Sequence, residues 1–249
     1  MDKIKLDKID TRAPEAFDKQ KTKDKTLQIL EELDELQNLL YAESKHSILV
    51  VIQGMDASGK DGLIRHVFGK MNPQGVTVHS FKQPTAEDLA HDFLWRIHLH
   101  TPAKGYIQIF NRSHYEDVLV TRVHKLIDDE TAKQRMKAIN NFEDLLVTHN
   151  NTKVLKFYLH VSAKEQHERL EERLSDKTKQ WKYNEQDFVE AALRKDYLNA
   201  YEDCFEHCNK VPWTIVPADQ NWYKEYIVAE KLRDTLKELN MKYPGLKKQ

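Results

Sequence analysis

The chain has 249 residues, and its 39 Lys and Arg nearly balance its 40 Asp and Glu, so the formal net charge is −1. A chain without a global basic field is disfavoured as a bulk nucleic-acid binder, and any polyanion must be held by a local cluster of cations. No stretch approaches the ~20 apolar residues of a membrane span, and residues 1–14 lack the apolar core of a signal peptide, so we expect a cytoplasmic protein without membrane contact.

Amphipathic stripes and apolar runs predict helices and strands that alternate along the chain. The predicted elements are, in chain order, a helix over 24–42, a strand over 48–52, a helix over 60–68, a strand over 76–79, a helix over 86–98, a strand over 106–110, a helix over 133–147, a strand over 154–159, a helix from 163, a helix over 187–208, a strand over 213–216 and a helix over 221–239. Strands separated by helices imply right-handed βαβ units, and therefore an α/β fold with a parallel sheet covered on both faces. The length fits a single domain over 1–249, with a helical extension over about 1–46.

A glycine-rich loop follows the first predicted strand. Residues 54–62, with the sequence GMDASGKDG, contain three of the seven glycines and match the pattern G-x-x-x-x-G-K. In this pattern backbone N–H groups surround phosphate oxygens, and the lysine, here Lys60, contacts the outer phosphates. The helix that begins near Lys60 would add the positive end of its dipole. The loop therefore predicts phosphate binding, with a plain turn between a strand and a helix as the alternative.

Two carboxylates in the loop point to a metal ion. Asp61 stands after the lysine, where Ser or Thr usually binds Mg²⁺, and Asp56 lies inside the loop itself. A carboxylate close to a phosphate repels it unless a divalent cation lies between them. We therefore expect Mg²⁺ at the loop, with Mn²⁺ as the alternative, because hard cations prefer carboxylate and phosphate oxygens.

Polar residues NRSHYED follow the strand over 106–110, at the sheet edge where ligands bind in such folds. Arg112 could bind a phosphate, and Asp117 could be a second metal ligand. The alternative is a capping segment, in which Ser113 or Asp117 closes a helix N-terminus. His114 suggests a phosphohistidine, but phosphoryl transfer needs no covalent intermediate when charge neutralisation and in-line positioning suffice.

A cationic helix predicts a lid. Arg169, Arg173 and Lys177 recur every four residues and would share one face, where like charges repel unless an anion lies along them. We therefore predict a lid over about 164–186 that closes over phosphates. The alternative is a solvated helix in which Glu165 pairs with Arg169.

A further polar cluster, FKQPT, precedes the helix over 86–98. Thr85 is its predicted N-cap. Asp88, Asp92, Trp95 and Arg96 fall at helical spacing, so one face of this helix could line the site, although Trp95 suits the core equally well.

Taken together, these segments closely resemble the polyphosphate kinase 2 family. The motifs that carry the resemblance are GMDASGKDG, FKQPTAEDLAHDFLWR, IFNRSHYEDVL, the lid stretch ending in WKY, and VPAD at 216–219, and the match runs from about 9 to 239. The family resembles P-loop kinases that move the terminal phosphoryl group of inorganic polyphosphate to a nucleotide, or in reverse, with Mg²⁺. The implied architecture is a P-loop kinase-like three-layer α/β/α fold with a helical lid.

The resemblance also implies roles for individual residues. Asp56 and Asp117 are the implied metal ligands, and the implied catalytic residues are Asp56, Lys60, Arg112, Asp117 and Arg169. The implied substrate-binding residues are Gly54, Ala57, Ser58, Gly59, Asp61, Gly62, Lys82, Asn111, Arg173 and Lys177.

The segment SHYEDVLV resembles the branch of the family that acts on nucleoside monophosphates and diphosphates. AMP and ADP are therefore the expected acceptors, with guanine nucleotides as an alternative, and inorganic polyphosphate is the expected donor. A homo-oligomer is implied as well. The competing functions are an ATP-dependent nucleoside monophosphate kinase and a non-catalytic nucleotide-binding protein.

Overall fold

A computed structural model describes residues 4–246, so the two ends of the predicted domain, 1–3 and 247–249, lie outside it. The α-helices of the described residues are α1 (Lys19–Glu43), α2 (Lys60–Phe68), α3 (Ala86–Ala90), α4 (Trp95–His98), α5 (Val120–Val123), α6 (Asp129–Asn150), α7 (Ala163–Ser175), α8 (Gln186–Ala192), α9 (Arg194–His207) and α10 (Asn221–Glu238). The strands are β1 (Ser47–Gln53), β2 (Val76–Ser80), β3 (Ile107–Asn111), β4 (Thr152–His160) and β5 (Trp213–Pro217).

The strands form one parallel sheet in the order β2-β3-β1-β4-β5. β1 lies at the centre, where its Ile52 is in register with Asn111 of β3 and with Phe157 of β4. Every residue of β1 is buried. This explains its uninterrupted apolar run, since a central parallel strand has helices over both faces. The predicted parallel α/β sheet is confirmed.

Alternate residues of β1 face two separate cores. Ile48, Val50 and Ile52 belong to a core built with α1, α2 and α10, whereas Leu49 and Val51 belong to one built with α6 and α9. This alternation follows from the two-residue period of a strand. The fold is therefore the predicted three-layer α/β/α arrangement.

Two predicted helices are each broken into two. The helix expected over 86–98 ends at Ala90, and α4 starts after a bend at which the Asp92 side chain accepts from the Leu94 N–H at 3.0 Å. Thr85 is the N-cap of α3, as predicted, and accepts from the Asp88 N–H. The helix expected over 187–208 is interrupted at Leu193, between α8 and α9.

Two helices begin earlier than their apolar stripes predict. α1 starts at Lys19 rather than at 24, because Asp18 caps it by accepting from the Lys21 N–H. α6 starts at Asp129 rather than at 133, because Asp128 accepts from the Thr131 N–H at 2.7 Å. Polar first turns carry no apolar stripe, so only the caps could have marked these starts. Among the described residues, no helix has the length and apolar character needed to span a membrane.

Candidate active site

The phosphate loop, residues 54–59, joins the end of β1 to the start of α2. Gly59 has φ = +90°, in the left-handed region that favours glycine. Lys60 is buried and its Nζ donates back across the loop to the carbonyl oxygens of Gly54 at 2.7 Å and Met55 at 3.1 Å. Burial lowers the pKa of Lys60, and the neighbouring Arg112 adds to this. These two carbonyl contacts use two of the three N–H donors of the ammonium group, so one donor remains for an anion.

Arg169 holds the carbonyl side of the phosphate loop. Its Nη1 donates to the carbonyls of Ala57 and Ser58, both at 3.1 Å, and its Nη2 donates to those of Ala218 at 2.8 Å and Asp219 at 3.0 Å. Its Nε donates to Glu165. All five N–H donors of the guanidinium are thereby engaged. The solvated-helix alternative correctly paired Glu165 with Arg169, but it missed the four carbonyls.

Lys224, near the start of α10, also supports the phosphate loop. Its side chain is buried, and its Nζ donates to Asn221 Oδ1 at 2.7 Å and to the Ser58 carbonyl at 3.3 Å. Burial lowers the pKa of Lys224 to about 8, and Arg169 contributes. Sequence reasoning missed this residue, because one lysine on a distant amphipathic helix has no pattern that links it to the loop.

The segment after β3 brings Arg112 to the phosphate loop. Its Nη2 donates to Asp56 Oδ1 at 2.5 Å, and its Nη1 lies 4.0 Å from Glu116. Burial alone would lower the pKa of Arg112, but the carboxylates of Asp56 and Glu116 outweigh burial and raise it. Two residues predicted from separate motifs, Asp56 and Arg112, thus meet in the structure.

Asp117 contacts a different set of cations. Its carboxylate is 3.5 Å from Arg96 and 3.9 Å from Arg135, and burial raises its pKa despite these two cations. It is not among the described residues that line the cleft beside the loop. Its assignment as a metal ligand stays a prediction.

A buried network anchors the segment that carries Arg112. Lys156 Nζ donates to Glu143 Oε2 and to the Tyr115 hydroxyl, both at 2.8 Å, and His114 Nε2 lies 3.3 Å from Glu143. His114 is fully buried and does not line the cleft beside the loop, so it is not placed to accept a phosphoryl group. Ser113 accepts from the Tyr115 N–H, as the capping alternative proposed.

The lid segment, residues 164–186, contributes fewer helical cations than its periodicity suggests. α7 ends at Ser175, so Lys177 cannot continue the face that starts at Arg169 and Arg173, and this part of the interpretation was wrong. Lys177 is exposed and does not line the cleft. Asp176 accepts from the Thr178 N–H and hydroxyl immediately after the helix, which turns the chain.

Other cations of the lid segment reach the cleft. Arg173 pairs with Asp187, and Lys182 Nζ donates to Asp61 Oδ2 at 3.0 Å. Asp61 also accepts from Asn111 Nδ2 at 3.0 Å. Burial would raise the pKa of Asp61, but Lys182 and Asn111 lower it. The lid segment therefore touches the start of α2 through a charged pair.

These elements enclose a cleft of about 670 Å³ at the carboxyl ends of β2 and β3. Eight cations line it: Lys60, Lys82, Arg112, Arg169, Arg173, Lys179, Lys182 and Lys224. Five carboxylates do so as well: Asp56, Asp61, Glu172, Asp187 and Glu225. Although the chain is close to neutral, this surface has an excess of positive charge, as a polyanion site needs.

Most of the predicted site residues come together in this cleft. Those that line it are Asp56, Ala57, Gly59, Lys60, Asp61, Gly62, Lys82, Asn111, Arg112, Arg169 and Arg173. Gly54 and Ser58 lie beneath it and offer their carbonyls to Lys60 and Arg169. Lys179, Lys182 and Lys224 were not predicted as site residues. Lys179 and Lys182 lie in the predicted lid, and Lys182 belongs to the WKY motif, but neither falls on the helical stripe of Arg169 and Arg173. Lys224 belongs to none of the motifs.

The carboxylates at the rim of the cleft could hold a divalent cation together with a substrate. Asp56 uses Oδ1 for Arg112, which leaves Oδ2 for a metal ion, and Asp61 lies on the other side of Lys60 in the sequence. Within residues 4–246, no three His, Cys, Asp or Glu side chains gather into a metal site. Mg²⁺ is commonly held by one or two carboxylates plus phosphate oxygens, so the residues fit an ion that arrives with its substrate.

Comparisons with known proteins agree with this geometry. The family model described as Polyphosphate kinase 2 matches residues 16–244. An AMP/ADP-polyphosphate phosphotransferase from Meiothermus ruber is 47% identical over 214 residues, which are 85% of this chain and 80% of the relative. An ADP-polyphosphate phosphotransferase from Rhodopseudomonas palustris is 42% identical over 229 residues, 86% of this chain and 79% of the relative. The crystal structure of polyphosphate kinase 2 from Arthrobacter aurescens TC1 has a TM-score of 0.95 at 38% identity, and the match covers 100% of this chain and 90% of that one.

Proposed function

Since the chain belongs to the polyphosphate kinase 2 family, we propose that it transfers the terminal phosphoryl group of inorganic polyphosphate to AMP and ADP, reversibly. The observation that carries the proposal is the cleft, in which a phosphate loop, eight cations and two loop carboxylates meet. Inorganic polyphosphate has no base or sugar to recognise, so a line of cations is the surface that suits it. The names of the relatives from Meiothermus ruber and Rhodopseudomonas palustris support AMP and ADP as acceptors.

The mechanism follows from charge. Two phosphate groups repel each other, so catalysis requires cations around the transferring group before the oxygens can align. Lys60 and Arg112 supply charge at the loop, and Arg173 and Lys182 supply it from the lid segment. The acceptor phosphate oxygen is already ionised near neutral pH, so no general base is needed. The buried position of His114 favours direct in-line transfer.

Mg²⁺, or Mn²⁺ in its place, would neutralise phosphate charge between the two substrates when bound. Asp56 is the carboxylate best placed to hold it, with Asp61 close by. Asp117 remains part of the proposal as the second ligand. Replacing Asp56, Asp61 and Asp117 in turn by Asn tests which of them bind the metal ion. Loss of a metal ligand raises the Mg²⁺ concentration needed for half-maximal activity. If Asp117 only pairs with Arg96 and Arg135, its replacement changes the melting temperature instead.

The remaining assignments belong to the same proposal. Residues 1–249 would act as one domain, and residues 164–186 would close over the phosphates as a lid. A cytoplasmic location suits an enzyme whose acceptors are AMP and ADP. The chain would assemble into a homo-oligomer, and its sedimentation would give the number of chains in the assembly.

The direct test is product analysis with purified protein, Mg²⁺, long-chain polyphosphate and either AMP or ADP, with no ATP present. We expect ADP and ATP from AMP, and ATP from ADP. No product from polyphosphate, together with transfer from added ATP to a monophosphate, would identify an ATP-dependent nucleotide kinase and refute the proposal. A Lys60→Met variant serves as the background control, because it leaves residues 54–59 unchanged and removes the ammonium group of Lys60.

A further inference from the structure

We propose that Lys224 is a phosphate-binding residue of the cleft, which contacts an oligophosphate chain from the side of α10. The inference rests on the proposed function in one respect only, namely that an oligophosphate enters this cleft. It deepens that function by adding a residue that lies far outside the phosphate-loop and lid motifs.

The first argument is the donor inventory of the amine. Lys224 Nζ donates to Asn221 Oδ1 at 2.7 Å and to the Ser58 carbonyl at 3.3 Å. An ammonium group has three protons, so two contacts leave one donor, and the side chain lines the cleft. Arg169, by contrast, spends all five donors on Glu165 and four carbonyls. Of these two cations at the Ser58 carbonyl, only Lys224 has a donor to offer a ligand.

The second argument is the lack of a charged partner. Arg112, Arg173 and Lys182 each contact a carboxylate in the cleft. Both hydrogen-bond partners of Lys224 are uncharged, although only 1% of the residue is exposed. Burying a cation without a counter-charge is costly, and a phosphate oxygen would supply that charge. Lys60 is in the same position, with two uncharged carbonyl partners.

The third argument is position. A Cβ built on Gly59 would lie only 2.2 Å from Lys224 Nζ, so the amine rests against the loop next to Lys60. A phosphate cradled by the loop N–H groups would then lie between an ammonium group from α2 and one from α10. This arrangement matches the repeating anionic oxygens of a phosphate chain, which present charge on more than one side.

The protonation of the amine provides a readout of its own. Burial lowers the pKa of Lys224 to about 8, Arg169 of α7 and Lys60 of α2 act in the same direction, and Glu225 and Glu165 oppose them. Above pH 8 the free protein therefore loses the charge that attracts phosphate. We expect the affinity for an oligophosphate to fall between pH 7 and pH 9 through this group.

The experiment is calorimetric titration of the full chain with inorganic tripolyphosphate, and separately with ADP. Lys224→Met removes the amine, and Lys224→Gln removes the charge but keeps an N–H donor for the Ser58 carbonyl. Lys231→Met is the matched control, because Lys231 lies on the same helix and is exposed. We expect about a tenfold or greater loss of tripolyphosphate affinity at pH 7 in both Lys224 variants and none in the control.

The result with each ligand has a defined meaning. A loss for tripolyphosphate alone places the inorganic chain against Lys224, and a loss for ADP alone places the nucleotide phosphates there. Unchanged affinity for both ligands overturns the proposal. Normal affinity in Lys224→Gln also overturns it, because a residue that only supports the loop needs no more than the N–H donor. A pH dependence of affinity that is the same with and without Lys224 overturns it as well. Wild-type protein that binds tripolyphosphate but makes no ATP would refute the proposed function and leave this inference intact.

Discussion

Replacing Arg169 by Met should mainly lower the stability of the protein, because Arg169 holds the phosphate loop and has no free donor for a substrate. The substitution removes the donor from four backbone carbonyls at once, two in the phosphate loop and two after β5. Hydrogen bonds to a charged group contribute about 1.5–3 kcal/mol each, but they are not additive, and water will reach some of the freed carbonyls. We therefore expect a loss of about 3–5 kcal/mol, which is less than the sum for four separate bonds of this kind.

For a chain of this length, 1 kcal/mol shifts the melting temperature by about 2–4 °C, so the expected decrease is about 6–20 °C. Thermal and urea unfolding measure it directly, and the kinase assay follows kcat and KM. Arg173→Met is the matched control, because Arg173 lies one turn further along α7 and contacts the single carboxylate of Asp187. It should lower activity and change the melting temperature by only a few degrees. An Arg169→Met protein that loses activity but melts within about 2 °C of wild type would show that Arg169 binds substrate instead of holding the loop.

Three further outcomes follow from charge and burial. Lys156 and Glu143 form a buried ion pair, so Lys156→Met leaves Glu143 without its cation and should lower the free energy of unfolding in urea by about 3–5 kcal/mol. The double variant Lys156→Met with Glu143→Leu should be more stable than Lys156→Met alone. A double variant that is less stable contradicts this. Burial lowers the pKa of Lys224 from 10.5 to about 8, so the unfolded chain binds this proton more tightly than the folded protein does. The charged amine therefore opposes folding below pH 8, and this penalty disappears between about pH 8 and 10.5. The stability of wild type relative to Lys224→Met should rise over that pH window, and a constant difference would exclude the shift. Trp181 is 77% exposed in the lid segment. Under the proposed closure of residues 164–186 over phosphate, tripolyphosphate should shift its fluorescence to the blue. An identical shift in Trp181→Phe would assign the signal to another tryptophan and contradict the closure.

The sequence predicted those parts of the site that depend on neighbouring residues. A glycine-rich stretch after a buried strand indicates a phosphate loop, and Asp56 and Lys60 belong to that stretch. The parallel sheet then brings the segment after β3 beside the loop, which explains why the meeting of Asp56 with Arg112 could be expected from two motifs.

Contacts that depend on tertiary packing could not be predicted in this way. Lys224 is a single lysine whose neighbours in sequence say nothing about the loop. The WKY motif contains Lys182, but it does not show that this lysine reaches Asp61 at the start of α2. The four-residue spacing of Arg173 and Lys177 does not show that the helix ends at Ser175. It ends there because the Asp176 side chain accepts from the Thr178 N–H, which turns the chain out of the helix. Helical spacing likewise ran through the breaks at 91–94 and at Leu193, where only one piece of each broken helix reaches a core, since α3 and α8 bury none of their residues.

The order of synthesis gives the support of the phosphate loop a consequence for the nascent chain. The loop itself is complete at residue 59, yet the side chains that fix its carbonyls come from Arg169 and Lys224, far later in the chain. A chain emerging from the ribosome would therefore carry the whole glycine-rich motif for most of its synthesis without the contacts that hold the loop carbonyls. These contacts are complete only when α10 docks, so an incomplete chain should bind phosphate more weakly than the finished protein.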